Sequence, residues 1–212
     1  PDAPARRMPT PDAPARRMEP EFGAVLFSPR VAFLMGSLTF ASMQLAGAAD
    51  VWRRGAFVDT DDAMRLVQVR EWLAGKPWFD FSAPRMGGPD VFRTHWSHLV
   101  DLPIAALIRL FELGLDPVHA ERAARIAFPL LCFCALLAVL IALGRRLVGP
   151  PGGLAVAVLA PLSVFAMQFI AGRIDHHGLQ IVLVEAMMLA LVDRRAFLAG
   201  LCAATSLLVG LE

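Results

Sequence analysis

Five apolar runs, separated by short polar breaks, dominate the pattern of this chain. They cover residues 31–49, 126–143, 154–171, 178–192 and 196–211. Four of them carry no charge, and the fourth in order carries only Glu185. About 20 apolar residues in a helix cross roughly 30 Å of hydrocarbon, so each run is long enough, or nearly so, to enter a bilayer. The pattern predicts an all-α membrane protein, a polytopic bundle of about five transmembrane helices. Residues 50–120 form a large first outer loop with amphipathic or interfacial helices. The run from Leu102 to Ile108 is short and flanked by Asp101, Arg109 and Glu112, which fits an interfacial or re-entrant helix rather than a span.

Charge at the breaks gives the orientation. Lys and Arg favour cytoplasmic loops. Arg30 precedes the first run, Arg145 and Arg146 close the second, and Arg194 and Arg195 follow the fourth. Placing the N-terminus in the cytoplasm puts all of these on one side. It puts residues 50–120 and the break between the third and fourth runs on the other. The expected location is the inner (cytoplasmic) membrane, with any site on the periplasmic or extracellular face. No signal-peptide cleavage pattern is evident, so the first run reads as an uncleaved anchor.

Composition agrees with this class. Of 212 residues, 57% are hydrophobic and 18% charged, where a soluble domain is about one quarter charged. A net charge of +1 gives no broad basic surface for nucleic acid. Cys132, Cys134 and Cys202 all lie inside apolar runs and read as small buried residues, neither a disulfide framework nor a zinc motif. Residues 1–22 differ from the rest. Pro1–Met8 recurs word for word as Pro11–Met18, and this Pro-, Ala- and charge-rich tail is expected to be disordered. It reads either as a basic arm touching headgroups or as a duplicated start.

Two polar clusters interrupt the apolar pattern on the outer side. Gly172-Arg-Ile-Asp175-His176-His177-Gly178 lies between the third and fourth runs. A carboxylate and two imidazoles are costly in hydrocarbon and belong at the membrane surface or in a wet cavity. The second cluster, Asp59, Asp61 and Asp62, opens a segment in which Leu66, Val69, Trp72 and Leu73 give a helix one apolar side, stopped at Gly75. Asp59 or Thr60 can cap that helix. The three carboxylates either serve its dipole alone or form half of a site. Because each cluster follows an outward-going helix, the two can converge, and an oxygen-rich set with two His suits Mg2+ or Mn2+. Arg93, His95 and Arg173 are candidates for holding phosphate. The aromatics Trp78, Phe79, Phe81 and Trp96 suit sugar or lipid-headgroup contact, or plain interfacial anchoring. Glu185 reads either as an intramembrane functional group or as a helix-paired structural one.

These words resemble those of oligosaccharyltransferase catalytic subunits in the GT-C glycosyltransferase superfamily, of archaeal and bacterial type. Asp59-Thr-Asp-Asp-Ala-Met-Arg65 matches an Asp followed six residues later by Arg. Gly172–His177 matches G-R-[IVF]-D-H-H, and the stretch 95–105 is similar to W-P-P-L-F-D-x-x-x-A. The resemblance covers roughly residues 31–212. It implies a metal-dependent membrane glycosyltransferase that moves a sugar or glycan from a polyprenyl-phosphate or pyrophosphate donor to a protein or glycan acceptor. It assigns the metal, Mn2+ or Mg2+, to Asp59, Asp175 and His177, with Asp61, Asp62 and His176 as additional candidates. Asp59 would also activate the acceptor. The family's later outer-loop acid and W-W-D motif have no counterpart here, so the chain is expected to be an N-terminal fragment, inactive alone. Two other classes compete: a divalent-cation or small-solute transporter, and a non-catalytic membrane subunit.

Overall fold

The computed structural model describes residue 25 and residues 27–86 and 92–210. The duplicated tail, residues 1–22, lies outside them. The described residues are helical, with a single isolated antiparallel bridge between Ser82 and Arg93. The helices are α1 (Pro29–Met43), α2 (Leu45–Arg54), α3 (Thr60–Leu73), α4 (Asp101–Phe111), α5 (Pro117–Val148), α6 (Pro150–Leu159), α7 (His177–Val192) and α8 (Ala196–Val209).

Local chemistry places most of the boundaries. Asp116 accepts from the amides of Val118 and His119, and Pro117 fills the first helical position, so α5 begins where its orphan donors are satisfied. It runs for 32 residues and carries Pro129 inside. This is the second apolar run extended at both ends, because the segment from Pro117 to Arg125 is helical although charged. Gly149, at φ +85°, ends it.

Two of the expected spans differ in form. The first is bent by 50° at Gln44, between α1 and α2. The third is not one helix. After α6 the chain passes through short 3-10 turns at Ala160–Leu162 and Val164–Phe169. Pro161 lacks the amide an α-helix would use there, and Ser163 and Ile170 are extended. Hydropathy alone does not distinguish an apolar helix from apolar turns. Among the described residues α5 is the one helix long and apolar enough to cross a membrane, and the bent α1–α2 pair passes the same test only if it is counted as a single span; α7 and α8, with 16 and 14 residues, are shorter apolar helices.

Helix α5 is the hub, packed against α1, α2, α4, α6 and α7, while α7 and α8 pair as a hairpin. Small residues allow close approach: a methyl on Gly152 would overlap the backbone of Gly144, a contact typical of helices packed without side-chain interdigitation. Phe40 stacks on Phe133 with ring centroids 3.7 Å apart. Outward-facing positions are apolar too: Leu131, Phe165, Phe197, Leu207 and Leu208 are exposed.

Two sets of contacts define the ends of the bundle. At one, Arg146 pairs with Asp193 and the Arg145 Nη1 donates to the Phe27 carbonyl at 2.7 Å. The basic breaks around residues 145 and 194 and the start of α1 therefore share this end. At the other, Arg122 Nη1 donates to the Trp52 carbonyl at 2.9 Å and Arg125 binds the carbonyls of Gly55 and Ala56. Arg125 and Arg145 are 20 helical positions apart, about 30 Å at 1.5 Å per residue. That is the thickness of a hydrocarbon core.

Candidate functional site

The two polar clusters meet at the Arg125 end of the bundle. Asp59 is the N-cap of α3: its Oδ1 accepts from the amides of Asp61 (3.0 Å) and Asp62 (3.2 Å). Asp62 returns the bond, its Oδ2 accepting from the Asp59 amide at 3.3 Å. This reciprocal box fixes the start of α3. The other side is a tight turn. Gly172 at φ +98° donates its amide to the Arg125 carbonyl at 3.0 Å, and a side chain there would press on Val51. Ala171 donates to Gln44 Oε1 at 3.0 Å, so the bend between α1 and α2 also holds this turn.

Two links join the clusters. Asp62 Oδ1 accepts from the Ile174 amide at 2.7 Å. Arg173 spans the gap between carboxylates: Nη1 donates to Asp59 Oδ2 at 2.9 Å, Nη2 to Asp175 Oδ2 at 3.2 Å and Nε to Gln168 Oε1 at 3.0 Å. Asp175 is buried, and its Oδ1 accepts from the His177 amide at 2.7 Å. Convergence across 114 residues of chain is thus mediated by a guanidinium. Arg173, expected to grip phosphate, has one donor on each nitrogen committed within the protein.

The carboxylates are tuned in opposite directions. Burial raises the Asp59 pKa, but the Asp62 amide, the Arg173 charge and the Asp61 amide together hold it below the ordinary carboxylate value. Burial pushes Asp62 up to about 6; the Ile174 amide opposes this, while the charges of Asp59 and Asp175 add to it. Asp61 is exposed, and the links between the loops run through Asp59 and Asp62 instead.

Three candidate ligands for one ion lie beside this bridge. The ligand atoms of Asp175, His176 and His177 lie within 4.8 Å of one another. Two donors on one ion, each at roughly 2.0–2.6 Å, are separated by at most about 5 Å. His177 Nδ1 is 2.9 Å from Asp175 Oδ2, and the two imidazoles stack at 4.3 Å. The compact trio therefore includes His176, which the resemblance gives only as an additional candidate. Asp59 lies outside it, across the Arg173 guanidinium from Asp175.

His95 and Arg93 sit apart from these links. Arg93 is exposed on the bridge to Ser82, and exposed His95 packs edge-on against Trp96 at 6.5 Å.

A buried polar group behind the site was missed by sequence reasoning. Arg65 donates to Asp101 Oδ1 at 3.1 Å and to the Ser97 carbonyl at 3.2 Å, and its guanidinium lies 4.5 Å over Trp96. Asp101 Oδ2 is 2.6 Å from His98 Nδ1, and Trp96 in turn faces His176 at 5.7 Å. The signal was present: positions 62, 65, 66 and 69 share the apolar side of α3, yet two of them are charged. Burial of this pair costs desolvation unless it is well bonded, so it fixes α3 to α4 behind the site.

From His177 a cavity of about 660 Å³ extends among α5, α6, α7 and α8. Gln168, Gln180, Glu185 and Ser206 lie along its wall; the remainder is mainly aliphatic. Comparison with family models, with curated proteins and with solved structures finds no match.

Proposed function

We propose that this chain carries the two-loop site of a membrane glycosyltransferase of the oligosaccharyltransferase-like type, acting on a polyprenyl-phosphate- or pyrophosphate-linked donor. The observation that carries the reading is the junction of Asp59 and Asp62 with Arg173, Ile174 and Asp175. Residues from two separate outer segments are held together by short bonds at the end of the bundle away from its arginine-rich breaks. A purely structural N-cap needs no partner 114 residues away.

In this reading Asp175 and His177, with His176 beside them, hold a divalent ion, Mg2+ or Mn2+. When bound, it supplies positive charge against the departing phosphate oxygens. Asp59, kept ionised by its amide donors and Arg173, faces the acceptor side and orients the incoming nucleophile. Arg173 sets the spacing of the Asp59 and Asp175 carboxylates. It has two further N–H donors beyond the three committed ones, enough to meet a phosphate oxygen without leaving its partners. The cavity that opens at His177 places an apolar wall next to the charged site, which suits a polyprenyl chain whose phosphate remains at the mouth. The polar wall formed by Gln168, Gln180, Glu185 and Ser206 also suits passage of a small solute or cation, the alternative reading.

The test is transfer of a radiolabelled sugar from a polyprenyl-linked donor in membranes containing the full-length gene product that carries this chain. Asp59→Ala and Asp175→Ala are each expected to lower transfer at least a hundredfold with protein level unchanged. Full transfer by both variants rejects the assignment. Cation flux into vesicles without any transfer selects the transporter.

A further inference from the structure

The opposite end of the bundle carries a second site, built from different residues. A groove of about 580 Å³ lies between α1 and α5. Its floor is apolar, formed by residues such as Phe33, Leu34 and Ile141, and its rim is Arg30, Arg145 and Arg146. No carboxylate is among the described residues that line it. Asp193 approaches from the α7–α8 turn and pairs with Arg146, leaving a rim of three guanidinium groups against one carboxylate. Arg145 is oriented by its bond to the Phe27 carbonyl, so part of this rim is built rather than splayed.

Cationic rim and apolar floor together select an amphiphile. A soluble anion has no use for the floor, and an uncharged lipid has none for the rim. Charge distribution also places the groove where such a ligand is found: Arg30, Arg145, Arg146, Arg194 and Arg195 all belong to this end, the one that favours the cytoplasmic side. That leaflet is rich in anionic lipid, and basic pockets between helices on that side bind phosphate headgroups. We infer that the groove between α1 and α5 is a binding site for an anionic phospholipid, its phosphate held by Arg30, Arg145 and Arg146 and an acyl chain laid along Phe33, Leu34 and Ile141. The inference rests on the membrane placement of the bundle but not on the transferase chemistry.

Native mass spectrometry of the whole chain in detergent, titrated with phosphatidylglycerol, phosphatidylcholine or inorganic phosphate, reads the site directly. Phosphatidylglycerol is expected to bind at least tenfold more tightly than phosphatidylcholine, and phosphate alone not to be retained. Each of Arg30→Gln and Arg145→Gln should weaken phosphatidylglycerol about fivefold, as expected for loss of one basic group near an anionic headgroup. Arg194→Gln, at the same end but outside the groove, should leave it unchanged. Ala142 also lines the groove, and Ala142→Phe, which fills the floor and keeps every charge, should weaken binding too, separating a groove from a diffuse basic surface. Equal binding of the two lipids, or full binding by the double variant Arg30→Gln/Arg145→Gln, overturns the inference. Carbonate extraction of membranes tests the underlying placement separately: release of the chain rejects the membrane reading, whereas a retained chain with no lipid preference rejects only the groove.

Discussion

At the scale of single residues, Asp62 is the position where sequence and structure assign different work. In the sequence it is one of three carboxylates competing for one motif. In the fold it is the buried hinge pin, with one oxygen on the Asp59 amide and the other on the Ile174 amide. Its pKa is raised to about 6 by burial and by the neighbouring Asp59 and Asp175 charges. A carboxylate whose folded pKa exceeds its unfolded value adds stability that is complete below the unfolded pKa and is lost as pH rises through the folded one. Asp59, with its pKa lowered, works oppositely, but its contribution is lost only as pH falls below the ordinary carboxylate range. Between pH 5 and 7.5 the Asp62 effect therefore stands alone of the two. Asn at position 62 can still accept from Ile174 and does not titrate. The melting temperature of Asp62→Asn relative to the parent should rise between pH 5 and 7.5 by a few degrees, equivalent to about 1 kcal/mol. A difference that is flat across this range, read by thermal unfolding in detergent, would show that Asp62 does not titrate there.

At the scale of elements, the junction is held by a side chain from the turn before α7 reaching the cap of α3. Arg173 stands where a cation is needed between Asp59 and buried Asp175. Removing it leaves buried Asp175 without a guanidinium, held only by the His177 amide and imidazole, a loss of up to about 3 kcal/mol. It also removes the positive charge that competes with any metal. Arg173→Ala should melt well below the parent, and Mn2+ should raise its melting temperature more than the parent's; at 100 times Kd, bound ion contributes about 2.7 kcal/mol. Mn2+ acting on neither would mean that the Asp175–His176–His177 trio is not a cation site, and equal action on both would mean that Arg173 does not compete with the ion. Much of this level was legible in the sequence. The capping residues of α3, its stop near Gly75, the short helix over Leu102–Ile108 and the nearness of the two clusters all follow from local pattern and charge topology. What was not legible is long-range: Arg173 lying between the carboxylates, and the Arg65–Asp101–His98 group behind them. Pairings between residues 36 or 114 positions apart have no periodic trace. Hydropathy also hid the breaks in the third apolar run, because its 3-10 turns are as apolar as the helix before them, and Pro161 alone marks where the first one falls.

At the scale of the whole molecule, the decisive property is polarity from end to end. One end gathers Arg30, Arg145, Arg146 and Asp193 with its flanking arginines; the other gathers Asp59, Asp62, Arg173, Asp175 and the two imidazoles. Between Arg125 and Arg145, α5 is free of charge for about 30 Å. Helices α7 and α8 are shorter, about 24 and 21 Å at 1.5 Å per residue. If the bundle sits in a bilayer as proposed, such a difference fits an Asp-His-His turn sunk towards the hydrocarbon level while α5 projects beyond it, with the cavity at His177 opening beside the turn. The charge at the two ends predicts an orientation that can be measured. Lys76→Cys, in the segment after α3, should react with a membrane-impermeant maleimide in intact cells. Arg194→Cys, in the turn between α7 and α8, should react only after permeabilisation. Cys132, Cys134 and Cys202 lie within α5 and α8, so the unsubstituted chain gives the background. The reversed pattern would invert the molecule and put the carboxylate site in the cytoplasm. Equal labelling of both positions in intact cells would mean that the two ends do not lie on opposite sides of a membrane. In that case the exposed apolar belt around the bundle would have to be covered by protein instead of lipid.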